Sequence, residues 1–132
     1  MAPGKRRIRA VVADDSRTTL RAICEYLEFA GLFEILGTAA DGLHLLQQAE
    51  RLRPDLVLTD LHMPRMTGLA AAKELRKSFP ELRIVLFTAQ SCPSLREDSL
   101  QSGVDGVVEK SQIPDGLMEE VRRLFPGIAG RG

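Results

Sequence analysis

The chain has 132 residues, with 18 basic and 18 acidic side chains and a formal net charge of zero. One domain is the expectation at this length, and 44% hydrophobic with 27% charged residues is the balance of a globular chain, not a disordered one. Neutrality excludes the broad positive field of a nucleic-acid-coating or membrane-surface protein, so no direct nucleic-acid binding is expected. No apolar run approaches the ~18 residues of a membrane span. The N-terminus lacks the apolar segment of a secretory signal; a cytoplasmic location and no membrane partner are expected. Cys24 and Cys92 are too few for a zinc cage or a disulfide framework by themselves.

Residues 1–7, with Lys5, Arg6 and Arg7, read as a basic N-terminal tail. Ile8 to Ala13 is a strand. A helix follows, with Leu20, Ile23, Cys24 and Leu27 at helical spacing, and Gly31 stops it. Phe33 to Ala39 is a second strand, broken by Glu34, Gly37 and Thr38 as an edge strand would be. Asp41 caps a helix that carries Leu45, Ala49 and Leu52, and Pro54 ends it. Leu56 to Thr59 is a third strand. A third helix runs from Gly68 to Ser78, with Ala72, Leu75 and Phe79 on one side. Ile84 to Phe87 is a fourth strand, Leu95 to Ser102 a polar helix ending at Gly103, and Gly106 to Val108 a short fifth strand. Pro114 suits the first turn of a last helix carrying Leu117, Val121 and Leu124. Residues 126–132 read as a Gly-rich flexible tail, leaving 8–125 as the domain.

This is strand–helix repeated five times. Strands 1, 3 and 4 are near-continuous apolar runs, as parallel strands covered on both faces are. Right-handed crossovers then give a doubly wound α/β sheet, whose ligands sit at the carboxyl ends of the strands. Asp14-Asp15 follow strand 1, Asp60 follows strand 3, Thr88-Ala89 follow strand 4 and Glu109-Lys110 follow strand 5. Each has a plain structural role on its own: a helix cap at Asp15 or Ser16, a turn at Asp60, strand propensity at Thr88, a solvated Lys110. Together they are harder to dismiss, because three neighbouring carboxylates repel unless a cation sits among them. Mg²⁺ takes one or two carboxylates with water and phosphate. Lys110 supplies a point charge for the same phosphate.

These residues, with the stretch Leu61-His62-Met63-Pro64-Arg65-Met66-Thr67-Gly68, Phe87-Thr88-Ala89 and Glu109-Lys110-Ser111, resemble the receiver domain of two-component response regulators. The resemblance runs from about Ile8 to Phe125. It implies a flavodoxin-like (βα)5 fold with a five-stranded parallel sheet of order 2-1-3-4-5. It implies that Asp60 is the phosphoacceptor for a sensor histidine kinase or phosphotransfer protein. Asp15 would be the direct Mg²⁺ ligand, with Asp14 acting mainly through water, and Asp60 and the His62 carbonyl completing the protein ligands. Lys110 and Thr88, and the main-chain N–H groups of His62 and Ala89, would bind phosphoryl oxygens. A downstream protein target or output domain, and a homodimer through helix 4, strand 5 and helix 5, are further implied partners. Catalysis would be limited to the domain's own phosphorylation and dephosphorylation.

One departure stands out. The family usually has an aromatic residue three positions before the lysine, where this chain has Val107. The rotating-ring part of the usual switch is therefore absent. A phosphorylation-independent interaction module and a Mg²⁺-dependent phosphohydrolase are the alternatives, the second weakened by His62 where a haloacid-dehalogenase-type enzyme expects an Asp. The chain runs only a few residues past the last helix, which favours a stand-alone receiver over one cut from a longer regulator. His44 reads as a surface residue and Cys24 as core. Nothing in the sequence near Cys92 argues for a reactive thiol.

Overall fold

The side chains of each strand alternate between two apolar layers, and this alternation organises the molecule. A computed structural model describes residues 7–129; the rest of the expected N-terminal tail and residues 130–132 lie outside the described residues. The strands are β1 (Ile8–Ala13), β2 (Phe33–Ala39), β3 (Leu56–Asp60), β4 (Arg83–Thr88) and β5 (Gly106–Glu109). They form one parallel sheet in the order β2-β1-β3-β4-β5. The helices are α1 (Arg17–Ala30), α2 (Gly42–Leu52), α3 (Gly68–Ser78), α4 (Pro93–Gln101) and α5 (Asp115–Leu124), with a four-residue α6 (Pro126–Ala129) behind.

Val11, Ala13, Val57, Ile84, Leu86 and Val107 face Leu45, Ala49, Ala72 and Leu75 of α2 and α3. The alternate residues Ile8, Ala10, Val12, Leu56, Leu58, Val85, Phe87 and Val108 face Ile23 and Leu27 of α1 and Leu117 and Val121 of α5. Two buried faces explain the unbroken apolar runs of β1, β3 and β4. Each fully buried Leu or Ile contributes roughly 1.5–3 kcal/mol of burial, so the sheet is the rigid frame on which the loops hang. β2 is an edge strand, as its broken pattern indicates, and its register against β1 slips at Leu36.

The helix starts explain the loop positions. Ser16, Asp41 and Thr67 cap α1, α2 and α3 by accepting from Thr19 N, His44 N and Ala70 N. Gly31 ends α1 at φ 77°, a left-handed position. The ends of β3 and β4 run one residue further than the apolar pattern suggests, because Asp60 and Thr88 still pair in the ladder, opposite Phe87 and Glu109. α4 starts at Pro93, two residues earlier than its apolar pattern begins, since Pro is tolerated in the first turn. Pro114 precedes the first residue of α5 and follows a cis peptide bond. The turn of helix over 126–129 falls where the sequence suggests a tail.

Candidate functional site

Parallel pairing brings the C-terminal ends of β1, β3, β4 and β5 to one edge of the sheet, and the chemistry-bearing residues gather there. Asp14 N donates to Ala39 O at 3.0 Å, extending the β1–β2 ladder by one residue. The Asp14 carboxylate is buried; its Oδ1 accepts from Ser16 N at 2.8 Å. Asp60 is buried at the end of β3 and is fixed from behind. Leu61 N donates to Phe87 O, and Gly68 N donates to Leu61 O, both at 2.9 Å. A Cβ on Gly68 would stand 2.0 Å from Asp60 O, so α3 reaches this close only because residue 68 has no side chain. Gly42 does the same at the start of α2, where a Cβ would meet Met66 O at 2.1 Å.

Lys110 joins the two buried carboxylates. Its Nζ lies 3.0 Å from Asp14 Oδ2 and 3.3 Å from Asp60 Oδ2. Burial pushes the Asp60 carboxyl above the usual carboxylate range, and the charge of Asp14 adds to this. Lys110 and the main-chain N–H of His62 pull only partly the other way. Burial alone would lower the Lys110 ammonium, but contact with Asp14 and the charges of Asp14 and Asp60 outweigh it, and its pKa rises. One ammonium thus serves two buried carboxylates, while Asp15 stands exposed beside them. One carboxylate oxygen from each of Asp14, Asp15 and Asp60 lies within 4.8 Å of the others. Asp14 Oδ2 is buried and meets no donor besides the Lys110 ammonium. A cluster of three carboxylates with one ammonium among them is chemistry suited to a hard cation.

Thr88 is buried at the end of β4, and its hydroxyl donates to Gln90 O at 2.9 Å. It is therefore engaged inside its own loop. Ala89 and His62 are both exposed at this edge, with the His62 N–H acting on Asp60. Val107 is buried in β5, its carbonyl accepting from Arg96 Nη1 at 3.0 Å. Cys24 is half-buried, and burial followed by Glu28 raises its thiol. Cys92 departs from the sequence reading. Its exposed thiol lies 3.4 Å from Ser94 Oγ, and contacts from Ser94 and Leu95 at the start of α4 lower its pKa. Gly42 and Arg76 escaped the sequence reading. The signal for Gly42 was the Asp-Gly pair at a helix start.

The family model for the response regulator receiver domain matches residues 10–122. The chain belongs to the response regulator receiver domain family. As a receiver domain it is a signalling switch, in a family that binds Mg²⁺ at an acidic pocket and works with histidine kinases and output domains. It is 34% identical over 120 residues to a protein-glutamate methylesterase/protein-glutamine glutaminase of Alkalilimnicola ehrlichii, covering 89% of this chain and 30% of that protein. It is 30% identical over 120 residues to the response regulator protein VraR of Staphylococcus epidermidis, covering 91% of this chain and 57% of VraR. The receiver domain thus spans between about a third and just over half of these relatives. Its fold superimposes on a DNA-binding response regulator of the LuxR family from Staphylococcus aureus, with a TM-score of 0.82 and 27% identity over 89% of this chain and 98% of the other. The phosphohydrolase and phosphorylation-independent readings are not favoured beside these relatives. Among the described residues no helix is long and apolar enough to cross a membrane.

Proposed function

We propose that this receiver accepts a phosphoryl group on Asp60 and passes the event to a partner through the β4–α4 region. The observation that carries the proposal is the pair of buried carboxylates, Asp14 and Asp60, sharing the single ammonium of Lys110, with Asp14 Oδ2 meeting no other donor. Such a site is short of positive charge, and it is stable enough to persist because the sheet holds it. Asp14, Asp15 and Asp60, with the carbonyl of His62, would hold a Mg²⁺ ion. When bound, the ion offsets the charge of the carboxylates and of the phosphoryl oxygens.

The residues divide the remaining work. Asp60 supplies the nucleophilic oxygen, held in place by the β3–β4 ladder and by the close approach of α3. An O–P bond forms to Asp60 as the P–N bond of a donor phosphohistidine breaks, and the imidazole of the donor leaves with the electron pair. Lys110 holds fixed positive charge toward a phosphoryl oxygen, where positioning and charge neutralisation carry most of the catalysis. The main-chain N–H groups of His62 and Ala89 would hold other oxygens. Thr88 would trade its bond to Gln90 O for one to the phosphoryl group, which frees the loop leading to α4. A cytoplasmic location, a histidine-kinase or phosphotransfer donor, and an output domain or protein target belong to this reading.

The test is binding of beryllofluoride with Mg²⁺, followed by amide chemical shifts. Shifts should move around Asp60, Thr88, Ala89 and Lys110 in the wild type and not in Asp60→Asn. Unmoved shifts in the wild type would overturn the proposal.

A further inference from the structure

α4 is the least well anchored of the helices that flank the sheet. Ser99 is its single buried residue, and the buried Ser99 Oγ has no hydrogen-bond partner. Its N-cap residue, Cys92, provides no capping bond, unlike Ser16, Asp41 and Thr67 on α1 to α3. Leu95 is only partly buried against the core, and Leu100 is exposed. Among the described residues one side-chain hydrogen bond ties this helix to the sheet. Arg96 Nη1 donates to the main-chain oxygen of Val107 at 3.0 Å. That oxygen belongs to β5, an edge strand, and Val107 itself is buried. Beside this bond lies a groove of about 210 Å³, lined by Ser91, Arg96, Val107, Glu109 and Glu119 among others.

A second tether lies at the other end of the same segment, where Thr88 Oγ1 donates to Gln90 O at 2.9 Å. The stretch from Thr88 to Arg96 is therefore pinned at the phosphoacceptor edge by one hydroxyl and at β5 by one guanidinium. Little burial backs up the Arg96 bond, since α4 contributes so few apolar side chains. A charge-assisted donor on a main-chain oxygen is the strongest single contact available to such a helix.

We propose that Arg96 is a latch: its bond to Val107 O holds α4 against β5 in this conformation and sets how readily the β4–α4 segment can move. Breaking the Arg96 bond loosens α4 locally and leaves the sheet as it is. The second half of the inference, that loosening α4 eases the response to a phosphoryl group, rests on the proposed function of Asp60. Arg96 is a positioning residue here and touches no reacting atom.

Amide hydrogen exchange in ligand-free protein tests the latch without reference to phosphorylation. In Arg96→Ala the amides of residues 94–100 should exchange on the order of tenfold faster, the scale of one lost charge-assisted hydrogen bond. Amides of β1 and β3 should not change. Arg96→Lys keeps a donor and should lie between the two. Exchange in Arg96→Ala within about twofold of wild type would overturn the latch. A beryllofluoride titration with Mg²⁺ then tests the coupling: Arg96→Ala should reach half-conversion at a lower concentration than wild type, with Arg96→Lys again intermediate. Equal midpoints would overturn the coupling. A wild type that does not respond to beryllofluoride at all would overturn the phosphoacceptor reading and, with it, the coupling, while exchange would still decide the latch.

Discussion

Replacing Gly68 by alanine should damage both the fold and the site, because the two meet at that residue. An added Cβ would sit 2.0 Å from Asp60 O, 3.0 Å from Asp60 C and 3.0 Å from Thr59 Oγ1. An ordinary carbon–oxygen contact begins near ~3.3 Å, so the backbones must separate by roughly 1.3 Å. Neither side can rotate away, since both are main chain and both are bonded into β3 and the start of α3. Overpacking of this kind costs about 3 kcal/mol. The better helix propensity of alanine returns at most ~1 kcal/mol, leaving a net loss of about 2 kcal/mol. For a chain of this length that corresponds to roughly 7 °C in Tm. The same displacement moves the Asp60 carboxylate, and a shift of about 1 Å in a reacting group is worth on the order of 100-fold in rate. Thermal melting and the initial rate of phosphorylation by a small donor read the two effects. Gly127→Ala is the control, because nothing lies within 4 Å of its Cβ position. A Gly68→Ala protein that melts within about 2 °C of wild type and phosphorylates at the wild-type rate would contradict the clash at Asp60 O.

Three further outcomes follow from the charges and from Arg76. Asp60→Asn should melt higher than wild type in metal-free buffer at neutral pH, because burial and then Asp14 oppose the Asp60 charge more than Lys110 supports it. With the folded pKa raised, wild-type stability from this group falls as pH rises from its ordinary value through the raised one, and Asp60→Asn should lack that slope; a lower Tm for Asp60→Asn would contradict this. Lys110→Met should melt lower than wild type at neutral pH, since it strands two buried carboxylates. In the wild type the Lys110 contribution is complete below its ordinary pKa and is lost as pH climbs through the raised value, which a melting series at alkaline pH reads. Arg76→Ala should cost about 2 kcal/mol in chemical denaturation; its guanidinium donates to Gly103 O, Leu82 O and Asp105 Oδ2, pinning α3 to the loops before β4 and β5, and an unchanged denaturation midpoint would contradict that role.

The sheet was legible because parallel strands buried on two faces leave apolar runs that little else produces. The five strands and five main helices all appear near their expected places. The ends were less legible. Asp60 and Thr88 are polar, so an apolar pattern stops before them, although their main chains still pair. The gathering of Asp14, Asp15, Asp60 and Lys110 could be argued from topology, since each follows a strand. What topology could not give is which charges are buried and which pair: Asp14 and Asp60 inside, Asp15 outside, and one lysine between two acids. Arg76 looks like any charged residue on a helix, and only the folded chain shows the carbonyls it gathers. Gly68 stood in the motif, but the reason for glycine is a distance to a main-chain oxygen that no local pattern encodes. The bond from Arg96 to Val107 O was hidden for the same reason, as its acceptor is main chain and its side chain is exposed.

In the proposed function, Asp60 takes up a phosphoryl group in a reaction that needs Mg²⁺ and Lys110. Intact mass after incubation with acetyl phosphate tests it most directly, with and without Mg²⁺, alongside Asp60→Asn and Lys110→Met. The wild type with Mg²⁺ should gain the mass of one phosphoryl group, Asp60→Asn none, and Lys110→Met or a sample with a chelator little. A wild type that stays unmodified, or an Asp60→Asn protein modified to the same extent, would contradict it.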